Sequence, residues 1–287
     1  LGKEDQIASS LNNIGQVYRY WTKYDKAIEN YQQALAISKR LGKEDRVASS
    51  LLEIGDTYKS VGKYNKAIES YLKALAVHKR LGKEDRVAVT YEAIGHLYTA
   101  WRKYDKAIEN YQQALAIAKR LGNENRVAAS LQNLGRIYLN LGQPDKAMEN
   151  YQQALAISRK LGTENVLQED GIGLSLIGVG DVYQYRSQYD KAMEYYQEAL
   201  AIFRGRRNKD RSAVILKTIV GVYIAWGQYD KAIESNQQIV DIYRRQGREG
   251  DIPADLEQIG WLYGYLGQYD KAMENYQQAL AISRKLG

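Results

Sequence analysis

Apolar residues return along this chain in a fixed order. Ile7, Leu11, Ile14 and Val17–Tyr18 form one stripe at helical spacing. Ala27, Ile28, Tyr31, Ala34 and Leu35 form a second, and the polar pair Thr22–Lys23 breaks the two apart. The pattern predicts a helix hairpin. The phrase YDKAIENYQQALAI at Tyr24–Ile37 recurs unchanged at Tyr104–Ile117, with near copies starting at Tyr64, Pro144, Tyr189, Tyr229 and Tyr269. These starts lie 40, 40, 40, 45, 40 and 40 residues apart. A constant period of this size is the mark of a stacked array, because one hairpin alone cannot bury its apolar face. The units run 1–40, 41–80, 81–120, 121–160, 161–205, 206–245 and 246–285, with five extra residues near Thr163–Asp170. A single all-α domain over 1–287 is expected, with no stretch left for separate catalytic machinery.

The helix ends carry their own signals. Asp5 is expected to cap the first helix of its unit, in a column continued by Asp45, Asp85, Asn125, Asp170 and Asp210, with Asp251 beside Gly250 in the last unit. Asp25 is expected to cap the second. Lys39–Arg40 then complements the helix dipole, and Gly42 suits a left-handed stop.

Small residues sit where helix backbones approach closely. The Ala27 column is Ala in all seven units, the Tyr18 column is Tyr in all seven, and the Gly15 column is broken only by Val220. With Leu11, Ile14–Gly15, Tyr18, Ala27, Tyr31 and Ala34 at these spacings, the chain resembles the tetratricopeptide repeat family, matching or conservatively replacing its Trp, Leu-Gly, Tyr, Ala, Phe and Ala. The family's closing Pro is absent, and Lys39 stands in its place. This lengthened form is similar to the arrays of kinesin light chain and of bacterial signalling-protein sensor arms. The resemblance implies a right-handed superhelical solenoid of seven hairpins, whose first helices line a concave groove that binds peptides or proteins. It also implies a fragment of a larger protein, with any effector domain elsewhere.

The groove-facing columns vary in kind. The first unit offers Asn12, Asn13, Gln16 and Arg19, the second Glu53, Asp56 and Lys59, and the third Glu92, His96 and Thr99. Gln132, Asn133, Arg136 and Asn140 follow in the fourth, Ile177, Asp181 and Gln184 in the fifth, Lys217 and Thr218 in the sixth, and Glu257, Gln258 and Trp261 in the seventh. Of 25 tyrosines, 19 fall in the three frame columns, and three of the others, Tyr20, Tyr185 and Tyr265, share one groove column. Amides that donate and accept suit an extended peptide backbone, and tyrosines suit binding hot spots. The carboxylate clamp of chaperone-binding relatives is missing. Lys217 has Gly221 where that pattern needs Asn.

Charge changes little in this picture. The 41 Lys and Arg exceed the 34 Asp and Glu, giving +7. Basic pairs recur at second-helix ends and junctions (Lys79–Arg80, Lys119–Arg120, Arg159–Lys160, Arg284–Lys285), and no continuous basic stripe marks a nucleic-acid reader. The dense cluster is FRGRRNKDR at Phe203–Arg211, with Arg204, Arg206, Arg207, Lys209 and Arg211. His78 and His96 are the two histidines and there is no cysteine, so neither a metal nor a cofactor is expected. The glycine-rich GIGLSLIGVGD lacks a following Lys-Ser/Thr and is not a phosphate loop. Trp21, Trp101 and Trp226 share a column at the hairpin bend, where a structural role is expected.

The reading is a non-enzymatic, cytoplasmic interaction scaffold with a protein or peptide ligand and no membrane partner. A nucleic-acid-binding solenoid and a self-assembly module are the alternatives. Two further expectations concern regularity and ends. The fifth and sixth units should be the least regular, with Val220 for Gly, Asn236 for Tyr and Ile239 for Ala. The stripes of Ile7, Leu11 and Ile14 at one end, and of Ala272, Met273, Tyr276, Ala279 and Leu280 at the other, should favour weak head-to-tail self-association.

Overall fold

A computed structural model describes residues 2–162, 166–205 and 209–286. Among the described residues the chain is fourteen α-helices and one 3-10 turn, Glu249–Asp251. The first helices of the hairpins are α1 (Gly2–Tyr20), α3 (Glu44–Ser60), α5 (Glu84–Ala100), α7 (Glu124–Asn140), α9 (Val166–Tyr185), α11 (Lys209–Ala225) and α13 (Ile252–Tyr265). The second helices are α2 (Tyr24–Arg40), α4 (Tyr64–Arg80), α6 (Tyr104–Arg120), α8 (Pro144–Leu161), α10 (Tyr189–Gly205), α12 (Tyr229–Gln246) and α14 (Tyr269–Leu286). They form two compact units, Leu1–Gly142 and Gln143–Gly287. Within each, every helix packs on its neighbours in sequence, the stacking of an α-solenoid. The insertion near Thr163–Asp170 lies partly outside the described residues, as do Arg206 and Arg207 of the basic cluster.

One contact recurs at the centre of the hairpins. The frame tyrosine of the second helix lays its ring across the frame glycine of the first. A methyl group on Gly15 would stand 2.6 Å from Tyr31 Cε1, with corresponding distances of 2.6 Å at Gly55–Tyr71, 2.7 Å at Gly95–Tyr111 and 2.7 Å at Gly180–Tyr196. No other residue leaves room for the ring. The ring is then wholly buried, together with the small Ala27 and Ala34 columns beside it. The glycine-rich run of α9 serves the same end: Gly173 lies against Phe203, Gly178 against Tyr151 and Gly180 against Tyr196.

The sixth unit exchanges the two partners. Val220 is buried in the glycine position, and the shorter Asn236 is buried in the tyrosine position. The volume is moved from one helix to the other, but at a cost: neither Oδ1 nor Nδ2 of Asn236 has a hydrogen-bond partner. Gly221, next to Val220, faces open space instead.

Most of the expected caps are not where the aspartates stand; Asp251 occupies the N-cap position of α13 but makes no side-chain cap bond. The N-cap residues of α2 and α3 are Lys23 and Lys43, neither making a side-chain cap, so Asp25 and Asp45 fall within the first turn. Asp5, Asp170 and Asp210 likewise lie inside α1, α9 and α11. Asn123 is the residue that caps, its side chain accepting from Arg126 N at 3.1 Å. The aspartate column reaches forward to the next repeat: Asp5 to Arg46 at 2.9 Å, Asp45 to Lys83 at 2.6 Å, Asp85 to Arg126 at 3.3 Å, Asp170 to Arg211 at 2.8 Å and Asp210 to Arg248 at 2.7 Å. A first-turn carboxylate already gains from the helix dipole, so a lysine N-cap is tolerated. The helix-end cations are also paired, with Arg40–Glu4 at 2.7 Å and Arg80–Glu44 and Arg120–Glu84 at 2.8 Å. Exposed pairs of this kind are worth about 0–1 kcal/mol each, so they fix register more than stability.

The glycine stops occur as expected, with Gly42, Gly82 and Gly122 at φ of 65°, 64° and 66°. The bends inside the hairpins use the same left-handed conformation. Gly62, Gly142, Gly227 and Gly267 adopt it without penalty, whereas Thr22, Arg102 and Ser187 are held at φ of 56°, 57° and 56°. Beside Arg102, Trp101 is structural, stacked on Tyr64 and Tyr98 at 5.5 and 6.1 Å under Lys103 Nζ at 3.5 Å. Trp21 remains mostly exposed. Of the terminal stripes, Ile7, Ile14, Met273, Tyr276 and Leu280 are exposed, but Ala272 and Ala279 are buried.

Two stability tests follow from this geometry. Gly95→Ala should destabilise by about 1–3 kcal/mol because Tyr111 cannot retreat. Gly221→Ala, in open space on a helix, should stabilise by about 0.5–1 kcal/mol. Urea midpoints shifting in the same direction for both would contradict the packing account. Separately, Thr22→Gly should add about 1 kcal/mol by relieving the left-handed strain, seen as a higher midpoint. An unchanged or lower midpoint would show that the strain is relieved elsewhere.

Candidate functional site

The frame contact delivers a chemical group as well as a ring. Having crossed the glycine, each tyrosine projects its hydroxyl to the outer face of the first helices. Tyr71 Oη donates to Asp56 Oδ1 at 2.6 Å, Tyr111 Oη lies 2.8 Å from His96 Nδ1, and Tyr196 Oη donates to Asp181 Oδ1 at 2.6 Å. The bonded residue follows the frame glycine and stands 15 positions before the tyrosine. Burial raises the Tyr71 and Tyr196 phenols far above their ordinary range, reinforced by Asp56 and Asp181, so both remain donors.

In the first unit this face is a polar network. Glu53 accepts from Gln16 Nε2 at 3.2 Å and from Tyr31 Oη at 3.4 Å, and it pairs with Arg19 at 3.3 Å. Asn12 Oδ1 accepts from Ser50 Oγ at 3.2 Å, and Asp56 pairs with Lys59 at 2.8 Å. Glu92 is half-buried against Arg126 at 2.6 Å; desolvation raises its carboxyl and the guanidinium opposes that rise. Arg136 donates to Asn133 Oδ1 at 3.2 Å. His96, exposed at its outer edge, is pulled down to about 4, mainly by desolvation and then by Arg136 and Lys59. Gln132 and Asn133 are half-buried, whereas Asn13 and Tyr20 are exposed.

The second unit presents a different face. Asp181 is bonded to Tyr196, whose oxygen also lies 2.8 Å from the Gln184 amide. A phenol has one proton to give, so Gln184 must offer its N–H. Burial lifts the Asp181 carboxyl to about 6, with the Tyr196 bond opposing it. On α13, Trp261 lies 5.9 Å from Tyr265, and Tyr265 lies 4.6 Å from Tyr229 of α12. Gln258 is half-buried one turn earlier. Tyr20, Tyr185, Tyr265 and Trp261 are 78%, 56%, 63% and 49% exposed, large values for aromatic side chains. Lys217, the lysine of the clamp column, is committed to Asp255 at 3.3 Å and to the Tyr243 ring at 5.4 Å.

The candidate residues are therefore gathered in groups. Gln16 and Arg19 meet at Glu53, and His96 stands between Arg136 and Lys59. Trp261 and Tyr265 meet at Tyr229. Sequence reasoning missed the frame hydroxyls and Tyr229. The available signal was tyrosine where the family pattern has Phe, since a purely apolar slot needs no hydroxyl. Among the described residues, no cluster of three or more His, Cys, Asp or Glu could hold a metal ion. No helix among them is long and apolar enough to cross a membrane.

The architecture is that of a helical-repeat interaction protein. Family models described as tetratricopeptide repeat match residues 46–120, 86–160 and 171–245, and a second such model matches 8–40 and 256–286. The chain belongs to the tetratricopeptide repeat family. A comparison with curated proteins finds no match. Among solved structures, it is similar to BtubC (BKLC) from P. vanneervenii, with 24% identity over 78% of this chain and 92% of that one and a TM-score of 0.65. A Rap protein complexed with competence and sporulation factor gives 18% identity, 96% and 74% coverage, and a TM-score of 0.62. The signal transduction ATPase with a tetratricopeptide repeat sensor from Pyrococcus horikoshii gives 18% identity and a TM-score of 0.72, over 96% of this chain and 41% of that one. At these identities the likeness is one of fold.

The half-buried Asp181 carboxyl sets a pH test. Folded Asp181 holds its proton up to about 6, whereas an unfolded aspartate releases it near 4, so its contribution to stability is lost as pH rises through 6. Asp181→Asn, which still accepts from Tyr196, should raise stability by about 1–2 kcal/mol at pH 7.5 and leave it unchanged near pH 4. Equal urea midpoints for the two proteins at pH 7.5 would rule out the desolvated-carboxylate account.

Proposed function

We propose that the chain is a non-enzymatic scaffold that binds a peptide or protein segment along the first-helix faces, as the sensor or recruitment arm of a larger cytoplasmic signalling protein. The observation that carries this reading is the exposure of Tyr20, Tyr185, Tyr265 and Trp261 on helices whose other aromatics are packed. Amphipathic rings held rigidly by a helix lose little entropy on binding and are common hot spots. The amides of Asn13 and Gln258 on the same helices, and of Gln132 on α7, can pair with an extended backbone. The Rap structure, bound to competence and sporulation factor, offers a precedent in the same fold. A nucleic-acid partner is disfavoured because helix-end cations such as Arg40, Arg80 and Arg120 are paired with glutamates rather than free for phosphates.

Titration calorimetry with a partner recovered by affinity capture tests this. Tyr185→Ala and Tyr265→Ala should each weaken binding by about 1–2 kcal/mol with little loss of folding. Tyr183→Ala, which removes the stacking on Tyr195 at 5.5 Å, should chiefly lower the melting temperature. If all three variants lost stability alike, or none lost affinity, the scaffold reading would fail.

A further inference from the structure

The two units differ in what their first-helix faces leave unsatisfied. In the first, the carboxylates are matched internally: Glu53 with Arg19, Asp56 with Lys59 and Glu92 with Arg126. In the second, Asp181 and Glu257 have no cationic partner among the described residues, and the cation nearest in register, Lys217, is taken by Asp255. The Tyr196 bond occupies Oδ1 of Asp181, and among the described residues Oδ2 has no protein donor. Tyr185 follows one turn later on α9 and so shares the face of Asp181. Glu257, Trp261 and Tyr265 follow one another at the same four-residue step on α13. An unpaired carboxylate beside an exposed aromatic ring is a site for a cation, through both charge and the ring face.

Between these two helices lies α11, whose outward positions are Val214, Thr218 and Gly221, with Lys217 one turn before Gly221 and paired to Asp255 at 3.3 Å. Gly221 stands 40 residues from both Asp181 and Trp261, at the same level of the repeat, and is open above its backbone. It is the low point over which another backbone could pass closely. At the roughly 10 Å spacing general for packed helices, two steps cover roughly 20 Å, about six residues of extended chain.

We propose that the first-helix face of the second unit binds an extended segment of a partner protein carrying a basic residue and, about six residues away, a bulky apolar one. The basic residue sits against Asp181 and Tyr185, the backbone crosses Gly221, and the apolar residue packs on Trp261, Tyr265 and Tyr229. This rests on the scaffold reading and specifies the partner's chemistry. An acidic segment or a nucleic acid would meet two carboxylates and, among the described residues of this face, a lysine already paired with Asp255.

The test is selection of a displayed library of random twelve-residue peptides on the whole chain, followed by titration of synthetic copies. Recovered peptides should be enriched in Arg or Lys about six positions from Leu, Phe or Trp. Exchanging that basic residue for Glu, or Asp181→Asn in the protein, should each weaken binding at least tenfold, and Trp261→Ala should do so to a similar extent. Because Asp181→Asn is expected to raise stability at neutral pH, its loss of binding cannot be ascribed to unfolding. Recovered peptides without basic enrichment, undiminished binding to Asp181→Asn, or no recovered peptide at all would overturn the proposal. Acidic peptides that depend on Arg19 or Arg136 would overturn it while leaving the scaffold reading intact. Peptides indifferent to every first-helix substitution would overturn both.

Discussion

Everything in this molecule follows from a tyrosine ring crossing a glycine. The ring needs the space that a single β-carbon would take, and in return it fills the gap between two helices completely. The small columns at Ala27 and Ala34 serve the same close approach, so a few small residues set how each hairpin closes. The exchange in the sixth unit shows that the constraint is on summed volume rather than on residue identity. Val220 and Asn236 conserve the volume but lose the hydroxyl and strand a buried amide. The hydrophobic gain is kept there, and the polar function is not.

That hydroxyl links the core to the surface. A phenol anchored in the core orders the side chain it bonds, so Asp56, His96 and Asp181 are presented in one orientation rather than sampling several. Preorganisation of this kind lowers the entropy that a binding face must lose. It also perturbs the groups concerned: partial desolvation raises the Asp181 carboxyl and lowers the His96 imidazole.

Outside the core, charge is used for register and for difference. The forward pairs from Asp5, Asp45 and Asp85 are exposed or half-exposed and weak, yet they repeat at the same place and disfavour misaligned stacking. On the binding faces the two units diverge, the first internally neutralised and the second aromatic and acidic. A repeat architecture makes such divergence easy, since a first-helix face can change without disturbing the crossing beneath it.

The period, the hairpins, the glycine stops and the small-residue columns were legible in the chain because each depends on local geometry. Gly42 stops a helix by its own backbone freedom, and apolar spacing reports helix phase directly. The aspartate column misled for a related reason. A first-turn Asp and an N-cap Asp differ by two positions, and a cation 41 residues away decided what Asp5 bonds. Candidate faces could be named from the repeat, but not their state. Whether a carboxylate is spent or available depends on cations brought near by stacking, as Lys217 was to Asp255 and none among the described residues was to Asp181. Sequence alone determined the repeat and where its variable positions stand. Tertiary structure alone decided which of those positions were satisfied, because pairing is a property of neighbours that the chain brings together only when it folds.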